Sequence, residues 1–302
     1  MNTLSPDHID HKNMLWLEVT NFCNLGCAHC YNSSGSRESL MPSISPERYE
    51  EILDEAKQIQ FRCIQFIGGE PFFYPHLQRI LDHALNLNFD YVEIFSNLTV
   101  LPQWVFEGSY KQVRLATSFY SDDPQVHDGI CASKKSFERT TESIRKVVEA
   151  GFSLRAGFIE MPANAGHFER TSAYLTSLGV KSVGYDAVRQ FGRAGQCATP
   201  DIRQLCGKCA SGNLSIDVAG NTSACIMSKP WKFGNIRQDT LDAIFHSVGR
   251  REFADRLSVS SSECYPYSCD PYHGRTPGCG PNNCLPHCSP SCSPEYSCGP
   301  NL

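Results

Sequence analysis

Cysteine divides this chain into two parts with different requirements for folding. Of its 16 cysteines, three lie within residues 23–30, three are scattered over residues 31–205, and ten follow from Cys206 onward. The first twelve residues are polar and acidic, so we expect no secretion signal. Without such a signal, clustered cysteines bind metal or carry redox chemistry more often than they form disulfides. We therefore predict two domains, residues 10–200 and residues 201–302.

Residues 14–190 alternate between strand-like and helix-like patterns. Amphipathic segments predict helices, and the clearest begins at Ser45-Pro46, where serine is a good N-cap and proline fits the first turn. Six apolar segments between the helices predict strands, at Met14–Val19, Cys63–Ile67, Tyr91–Phe95, Val113–Phe119, Leu154–Ile159 and Val183–Val188. This alternation favours a parallel sheet with right-handed crossovers. We predict an α/β fold whose core is a partial (βα)6 barrel, with its chemistry at the carboxyl ends of the strands.

The end of the chain cannot fold in the same way. Residues 264–302 hold seven cysteines and eight prolines, but their only aliphatic side chains larger than alanine are Leu285 and Leu302. Burial of so little apolar surface cannot offset the entropy of ordering the chain. The segment is therefore either disordered or cross-linked, and metal ligation is the obvious cross-link. We predict a small cysteine-rich C-terminal domain.

Charge and hydropathy exclude two classes of partner. The formal net charge is −5 and no run of lysine or arginine is present, so we expect no nucleic-acid partner. No stretch reaches the roughly 18–20 apolar residues that a spanning helix needs, so we expect no membrane insertion. With no secretion signal, these features predict a cytoplasmic protein.

A short loop after the first predicted strand carries Cys23, Cys27 and Cys30, separated by three and two residues. Three thiolates on one loop can hold three irons of a 4Fe–4S cluster and leave the fourth iron open for catalysis. A purely structural cluster would be expected to have four local cysteines. A zinc site or a chance pattern is the alternative interpretation.

This spacing resembles the motif of the radical S-adenosylmethionine (SAM) superfamily. Gly68-Gly69-Glu70-Pro71, after the second predicted strand, is similar to the superfamily's GGEP motif, although alone it is only a turn. His29 stands where relatives carry an aromatic ring near the adenine. The resemblance implies that SAM chelates the open iron, with its methionyl amino group near these glycines and Glu70. It also implies reductive cleavage of the C5′–S bond, giving a 5′-deoxyadenosyl radical that abstracts hydrogen from a substrate.

Further cofactor contacts follow from the same resemblance. Ser96-Asn97 ends the third predicted strand, where relatives place ribose contacts, although Leu98 stands where many relatives carry glycine. Ser118 ends the fourth predicted strand. For Asn97 and Ser118, an ordinary hydrogen-bonded strand end is the alternative. Arg189 resembles an arginine of peptide-modifying relatives that could bind a carboxylate with two hydrogen bonds, and a solvated surface arginine is its alternative.

The C-terminal part resembles a SPASM domain, the auxiliary-cluster module of many radical SAM enzymes. The resemblance rests on Cys206-x2-Cys209, Gly220 and Cys225, and it implies that these three cysteines bind one auxiliary 4Fe–4S cluster with a cysteine from the tail. Four further tail cysteines would bind a second cluster. The tail candidates are Cys264, Cys269, Cys279, Cys284, Cys288, Cys292 and Cys298. The tail lacks the C-x2-C step of relatives, so a shortened module with one cluster, or a zinc knuckle at Cys206-x2-Cys209, remains an alternative.

Two enzymatic functions follow from the resemblance. The first is modification of a ribosomally made peptide, forming a thioether or carbon–carbon cross-link through oxidation by the auxiliary clusters. The first twelve residues are too few for a leader-binding domain, so this function predicts a separate leader-peptide-binding protein. The second is epimerisation or dehydrogenation of a small molecule such as a sugar or aminoglycoside. Both predict a reductant such as flavodoxin or ferredoxin, whereas an iron–sulfur carrier without SAM is the non-enzymatic alternative.

Overall fold

The computed structural model describes residues 13–196, 198–207, 209 and 212–262, so the seven cysteines from Cys264 onward lie outside the described residues. The strands in this part are β1 (Met14–Glu18), β2 (Cys63–Ile67), β3 (Tyr91–Phe95), β4 (Arg114–Ser118), β5 (Leu154–Glu160), β6 (Ser182–Ala187), β7 (Leu214–Ile216), β8 (Asn221–Ser223) and β9 (Gly234–Asn235). The α-helices are α1 (Pro46–Gln58), α2 (Leu77–Asn86), α3 (Pro124–Cys131), α4 (Ser136–Glu149), α5 (Phe168–Ser177), α6 (Leu241–Phe245) and α7 (Val248–Ser262).

The described strands form one sheet in the order β6-β5-β4-β3-β2-β1-β7-β8-β9. Neighbouring strands from β1 to β6 are parallel, as expected when a helix or a long loop crosses over between them. The predicted α/β class and the six predicted strands are confirmed. Because β6 and β9 are the two edges of the sheet, the barrel does not close.

The hairpin of the C-terminal part continues the same sheet. β7 pairs in parallel with β1, with Leu15 opposite Leu214 and Leu17 opposite Ile216. β8 and β9 then add antiparallel strands beyond β7. The parallel pairing of β7 with β1 was not predicted from the sequence. The domain boundary at residue 200 remains a prediction, and the backbone pairing runs across it.

Helices cover one face of the sheet and bury the main core. α1 begins where the sequence predicts it, with the backbone N–H of Arg48 donating to Ser45 Oγ at 3.2 Å. Its apolar stripe, which includes Tyr49, Ile52 and Leu53, is fully buried in the main apolar core. This burial supplies most of the stability of such a layered fold, because helix propensity alone is marginal in water.

The other face of the sheet carries a buried polar network. Gln65 on β2 donates to Glu93 on β3, and Arg155 on β5 donates to both carboxylate oxygens of Glu93, at 2.9 and 2.7 Å. The Glu93 side chain is only 1% exposed, so it depends on this bidentate partner to offset the cost of burying its charge. The network fills the middle of the sheet, and the loops after the strands carry the candidate site.

α3 was not predicted from the sequence, although it contacts the cysteine loop of that site. The helix begins at Asp123-Pro124, the same type of signal as Ser45-Pro46, and Asp123 Oδ1 accepts the backbone N–H of Gln125 at 2.8 Å. In the described part of the chain, we find no helix with the length and hydropathy needed to cross a membrane.

Candidate metal centres and cofactor site

The loop between β1 and α1 carries Cys23, Cys27 and Cys30. Cys23 is buried, and the other two are half-buried. The backbone turns sharply between the last two, with the N–H of Cys30 donating to the carbonyl of Cys27 at 3.2 Å. Burial, reinforced by nearby Glu70, raises the pKa of the Cys23 thiol to about 12. A metal that binds there must therefore displace the thiol proton.

The carboxyl end of α3 supports the middle of this loop. The N–H of Gly26 donates to the carbonyl of Cys131 at 3.1 Å, and the N–H of Ala28 donates to the carbonyl of Ile130 at 3.0 Å. The Cys27 side chain also packs against the apolar group that contains Cys131. The last carbonyls of a helix have no partner within the helix, and here the cysteine loop provides one.

Arg193 fixes the loop from the other side, and it was not among the site residues predicted from the sequence. Its Nε donates to the carbonyl of Cys27 at 2.8 Å, its guanidinium donates to the carbonyl of Ser34 at 2.7 Å, and its backbone N–H donates to the carbonyl of Cys30 at 3.0 Å. The preceding Gly192 has φ +55°, and a Cβ there would lie 2.3 Å from the carbonyl oxygen of Cys30. Gly192 was the sequence signal that could have indicated this contact, because a close approach of two backbone segments needs glycine.

Replacing Arg193 by methionine is expected to destabilise the protein by about 2 kcal/mol, because two hydrogen bonds from a charged donor are lost. Iron incorporation by the cysteine loop should fall with it. Arg193→Lys should recover only part of the loss, since an ammonium lacks the planar fork that reaches two carbonyls. Thermal unfolding and iron analysis measure both effects. The matched control is Arg79→Met at an exposed arginine, and an equal loss in both variants would contradict the assigned role.

Gly68 and Gly69 let the loop after β2 pack directly on the backbone that leads into Cys23. The N–H of Gly69 donates to the carbonyl of Thr20 at 2.6 Å. A Cβ on Gly69 would lie 2.0 Å from the carbonyl oxygen of Phe22, and Gly68 has φ +143°. The described contacts of these glycines are thus with the start of the cysteine loop. Pro71 follows in a buried 3-10 turn.

Glu70 is fully buried between the ends of β2 and β3. One carboxylate oxygen accepts from the backbone N–H of Phe72 at 3.1 Å, and the other accepts from the backbone N–H of Asn97 at 2.7 Å. Burial raises the pKa of Glu70 to about 7, against the opposing effect of hydrogen bonds from Asn97, Ser96 and Phe72. A carboxylate has about four lone-pair sites, so at least one remains for a further hydrogen bond beside these partners.

The Asn97 side chain reaches the cysteine loop. Its Nδ2 lies 3.7 Å from the Cys23 sulfur and 3.0 Å from Asn24 Oδ1. Leu98 has φ +54°, the left-handed conformation in which glycine carries no penalty. Its N–H donates to Ser96 Oγ at 2.9 Å. This conformation explains physically why a glycine suits the position that Leu98 occupies.

His29 lies beside Tyr120 next to the third cysteine of the loop. The two rings pack edge to face with centroids 4.8 Å apart, and the Ser118 side chain lies near that of Tyr120. Burial, aided by the charge of Arg193, lowers the pKa of His29 to about 4, so the imidazole is neutral at pH 7. Its Nδ1 is buried and is without a hydrogen-bond partner in the described part of the chain.

A second group of thiols forms where the C-terminal part joins the sheet. The Cys209 sulfur lies 3.8 Å from that of Cys206 and 3.2 Å from that of Cys225. Cys209 and Cys225 are buried in an apolar group with Trp16 and Phe191. Three of the predicted auxiliary ligands are thus brought together, and the remaining candidates lie outside the described residues.

Arg189 lies beside this second group of thiols. Its guanidinium donates to both carboxylate oxygens of Asp186, at 3.0 and 2.8 Å, and lies near the Cys206 thiol. A positive charge next to a ligand sulfur raises the reduction potential of a cluster that the sulfur binds. The described contacts of Arg189 are therefore with Asp186 and the auxiliary thiols.

The donor chemistry of the two sites fits iron–sulfur clusters. Each site contains three cysteines, whose thiolates are the ligand type that iron–sulfur clusters and zinc prefer. Among the described residues, no three ligand side chains are already grouped around a single metal position. At the first site, the unused Nδ1 of neutral His29, immediately before Cys30, provides a hydrogen-bonding atom for a bound cofactor.

The chain belongs to the radical SAM superfamily, whose family model matches residues 17–169. A second model, an iron–sulfur cluster-binding domain named SPASM, matches residues 206–270. The radical SAM domain binds SAM and a 4Fe–4S cluster, and the SPASM domain binds auxiliary iron–sulfur clusters. The resemblance that the cysteine spacing suggested is confirmed for both parts.

Two curated relatives align over much of the chain. The antilisterial bacteriocin subtilosin biosynthesis protein AlbA of Bacillus subtilis is 26% identical over 87% of this chain and 66% of its own length. The mycofactocin maturase MftC of Mycobacterium tuberculosis is 27% identical over 61% of this chain and 45% of its own length. The chain therefore spans less than two thirds of the length of both relatives.

The fold is similar to that of a solved radical SAM structure. SuiB of Streptococcus suis bound to S-adenosylmethionine has a TM-score of 0.65 and 14% identity, with 80% of this chain and 68% of SuiB covered. SuiB bound to its precursor peptide SuiA has the same TM-score, with 13% identity and coverage of 80% and 66%. At this identity the likeness establishes the fold alone.

Proposed function

We propose that the chain is a radical SAM enzyme of the oxidoreductase type that modifies a ribosomally made peptide by forming a thioether or carbon–carbon cross-link. One observation carries the proposal: the same sheet positions two separate groups of three thiols, one after β1 and one around β7 and β8. A cross-link removes two electrons from the substrate. A second redox centre in the same chain can accept the electron that remains after hydrogen abstraction.

The names of the relatives support a peptide as the substrate class. AlbA is named for the biosynthesis of a bacteriocin, MftC is named as a maturase, and SuiB is described with a bound precursor peptide. Because this chain spans only part of the length of the curated relatives, a peptide substrate is our proposal for it.

We propose that the cofactor site lies between the cysteine loop and the carboxyl ends of β2, β3 and β4. Cys23, Cys27 and Cys30 would hold the catalytic cluster. The residues that we propose to contact SAM are His29, Gly68, Gly69, Glu70, Pro71, Ser96, Asn97 and Ser118. The free lone pairs of Glu70 and the unused nitrogen of His29 support this assignment. We assign Arg189 to the auxiliary site, because it lies near the Cys206 thiol and pairs with Asp186.

When bound, the cluster and SAM supply a radical that takes hydrogen from an unactivated carbon. The residues of the chain hold and tune that pair. Asn97 Nδ2 points at the Cys23 sulfur, and hydrogen bonds to ligand sulfurs raise cluster potentials. Arg193 and the end of α3 hold the loop from two sides, so these long-range contacts would fix the cysteines that hold the cluster.

The partners follow from the same proposal. Reductive cleavage of SAM needs a one-electron donor, and we propose a flavodoxin or ferredoxin. We also propose that a separate protein delivers the leader peptide. The reducing cytoplasm would keep the thiol ligands available for metal.

The test is to incubate the reconstituted enzyme with SAM, a reductant and the short peptide encoded beside its gene. A cross-link predicts a peptide that loses the mass of two hydrogens, together with formation of 5′-deoxyadenosine. The matched control replaces Cys206, Cys209 and Cys225 with alanine. This variant should still form 5′-deoxyadenosine, because the catalytic loop is intact, but it should not cross-link the peptide.

Two results would contradict the proposal. Unchanged peptide mass with uptake of deuterium from solvent would indicate epimerisation instead. Turnover of a sugar or aminoglycoside, but of no neighbouring peptide, would favour the small-molecule function.

A further inference from the structure

A buried ion pair joins the two cysteine sites. Glu18 ends β1, five residues before Cys23, and its side chain has no exposed surface. Lys229 follows the auxiliary ligand candidate Cys225 by four residues. The ammonium of Lys229 lies 2.5 Å from Glu18 Oε2. The pair therefore connects the segment after one group of thiols with the strand that leads into the other.

The same ammonium also contacts the two residues that follow Cys30. Lys229 donates to Asn32 Oδ1 and lies over the ring of Tyr31, 5.7 Å from its centroid. The Tyr31 hydroxyl in turn donates to Glu18 Oε1 at 3.3 Å. Asn32 Nδ2 donates to Asn21 Oδ1 at 3.0 Å, so the network holds the chain on both sides of the cysteine loop.

The auxiliary end of the network is held by a tight turn. The backbone N–H of Cys225 donates to Ser228 Oγ at 2.8 Å, and the backbone N–H of Ser228 donates to the Cys225 carbonyl at 3.0 Å. Lys229 comes directly after this turn. Tyr31 packs against the apolar group that contains Cys225 and Cys209. Because only this short turn separates the two residues, the positions of the Cys225 sulfur and of the Lys229 ammonium depend on each other.

Burial of this ion pair carries a desolvation free-energy cost. Desolvation of the fully buried Glu18 carboxylate and the partly buried Lys229 ammonium offsets much of their attraction, and an apolar pair of similar volume is often as stable. Burial indeed raises the pKa of Glu18 despite the nearby Lys229. The pairing of β1 with β7 already joins the two parts of the chain. The ion pair adds a contact to Tyr31 and Asn32 that strand pairing does not provide.

We propose that Lys229 is a positioning residue that couples the catalytic cluster loop to the auxiliary cluster site. A cluster held by Cys225 fixes the turn to Lys229, and the ammonium then fixes Tyr31 and Asn32 next to Cys30. Loss of the auxiliary cluster therefore changes the environment of the catalytic cluster. This coupling does not depend on the identity of the substrate.

The test measures the reduction of the catalytic cluster in the reconstituted full chain with SAM present, by redox titration followed by electron paramagnetic resonance. Lys229→Met is expected to change its reduction equilibrium about tenfold, which corresponds to about 59 mV for one electron. Cys225→Ser should cause a change in the same direction. The matched control is Lys232→Met, which removes an exposed lysine three positions further along and should change nothing.

The double variant decides whether the two residues act together. If Lys229 carries the coupling, Cys225→Ser in the Lys229→Met background should cause no further change, because coupled residues are not additive. Full additivity of the two changes would overturn the proposal, as would an unaltered titration in a folded Lys229→Met protein. Neither readout requires a substrate, so failure of the peptide proposal leaves this test intact.

A second variant separates positioning from stability. Glu18→Leu combined with Lys229→Met replaces the ion pair with an apolar pair and should keep the thermal stability close to that of the unaltered chain. The changed reduction equilibrium of the catalytic cluster should persist in this protein. If it returns to the original value, the ion pair has only a structural role and the proposal is wrong.

Discussion

Replacing Cys23, Cys27 and Cys30 together with alanine is expected to reduce 5′-deoxyadenosine formation to background. In the proposed site, the iron that would bind SAM depends on all three thiolates, and the single thiol of Cys131 could not replace three lost ligands. Iron and sulfide content should fall by the amount of one 4Fe–4S cluster. Iron bound by the auxiliary thiols should remain.

The control for this prediction is Cys63→Ala, which removes a buried cysteine of β2 that lies outside both groups of thiols. It should keep the full iron content and the capacity to cleave SAM. Continued formation of 5′-deoxyadenosine by the triple variant would contradict the assignment of the catalytic cluster to this loop.

Gly69→Ala is expected to have the second largest effect. The new methyl group would lie 2.0 Å from the carbonyl oxygen of Phe22, and the obstacle is backbone rather than a flexible side chain. Relief requires moving the backbone segment that leads into Cys23, at a cost of about 3 kcal/mol. Chemical denaturation should detect the loss of stability, and iron incorporation should fall in parallel.

The matched control is Gly129→Ala. Gly129 lies inside α3, and a Cβ there would meet nothing within 4 Å. Alanine is favoured over glycine in a helix by about 1 kcal/mol, so this variant should be as stable as the original protein or more stable. A Gly69→Ala protein with unchanged stability and iron content would show that the loop tolerates the displacement.

Local signals in the sequence predicted most of the fold. Ser45-Pro46 predicts the start of α1 because the cap and the first turn involve residues that are neighbours in sequence. The six strands follow from short apolar segments in the same way. Asp123-Pro124 carried an equivalent signal for α3, so that helix could have been predicted as well.

The contacts that hold the cluster loop could not be predicted in this way. Arg193 reaches Cys27 over 166 positions, and Lys229 reaches Glu18 over 211 positions. Neither hydrophobic periodicity nor a helix cap indicates which arginine or lysine contacts which loop, because these contacts depend on how the whole sheet is assembled. Arg189 illustrates the difficulty: only the structure places it beside Cys206.

The pairing of β7 with β1 also bears on how such enzymes can be divided. A core ending near residue 200 would lack β7 and would leave β1 as an edge, with the backbone groups of Leu15 to Leu17 unpaired. An exposed edge of this kind invites pairing with other chains. The C-terminal module is thus a structural part of the sheet. Exchange of modules between relatives would have to preserve three residues of parallel register as well as the cluster ligands.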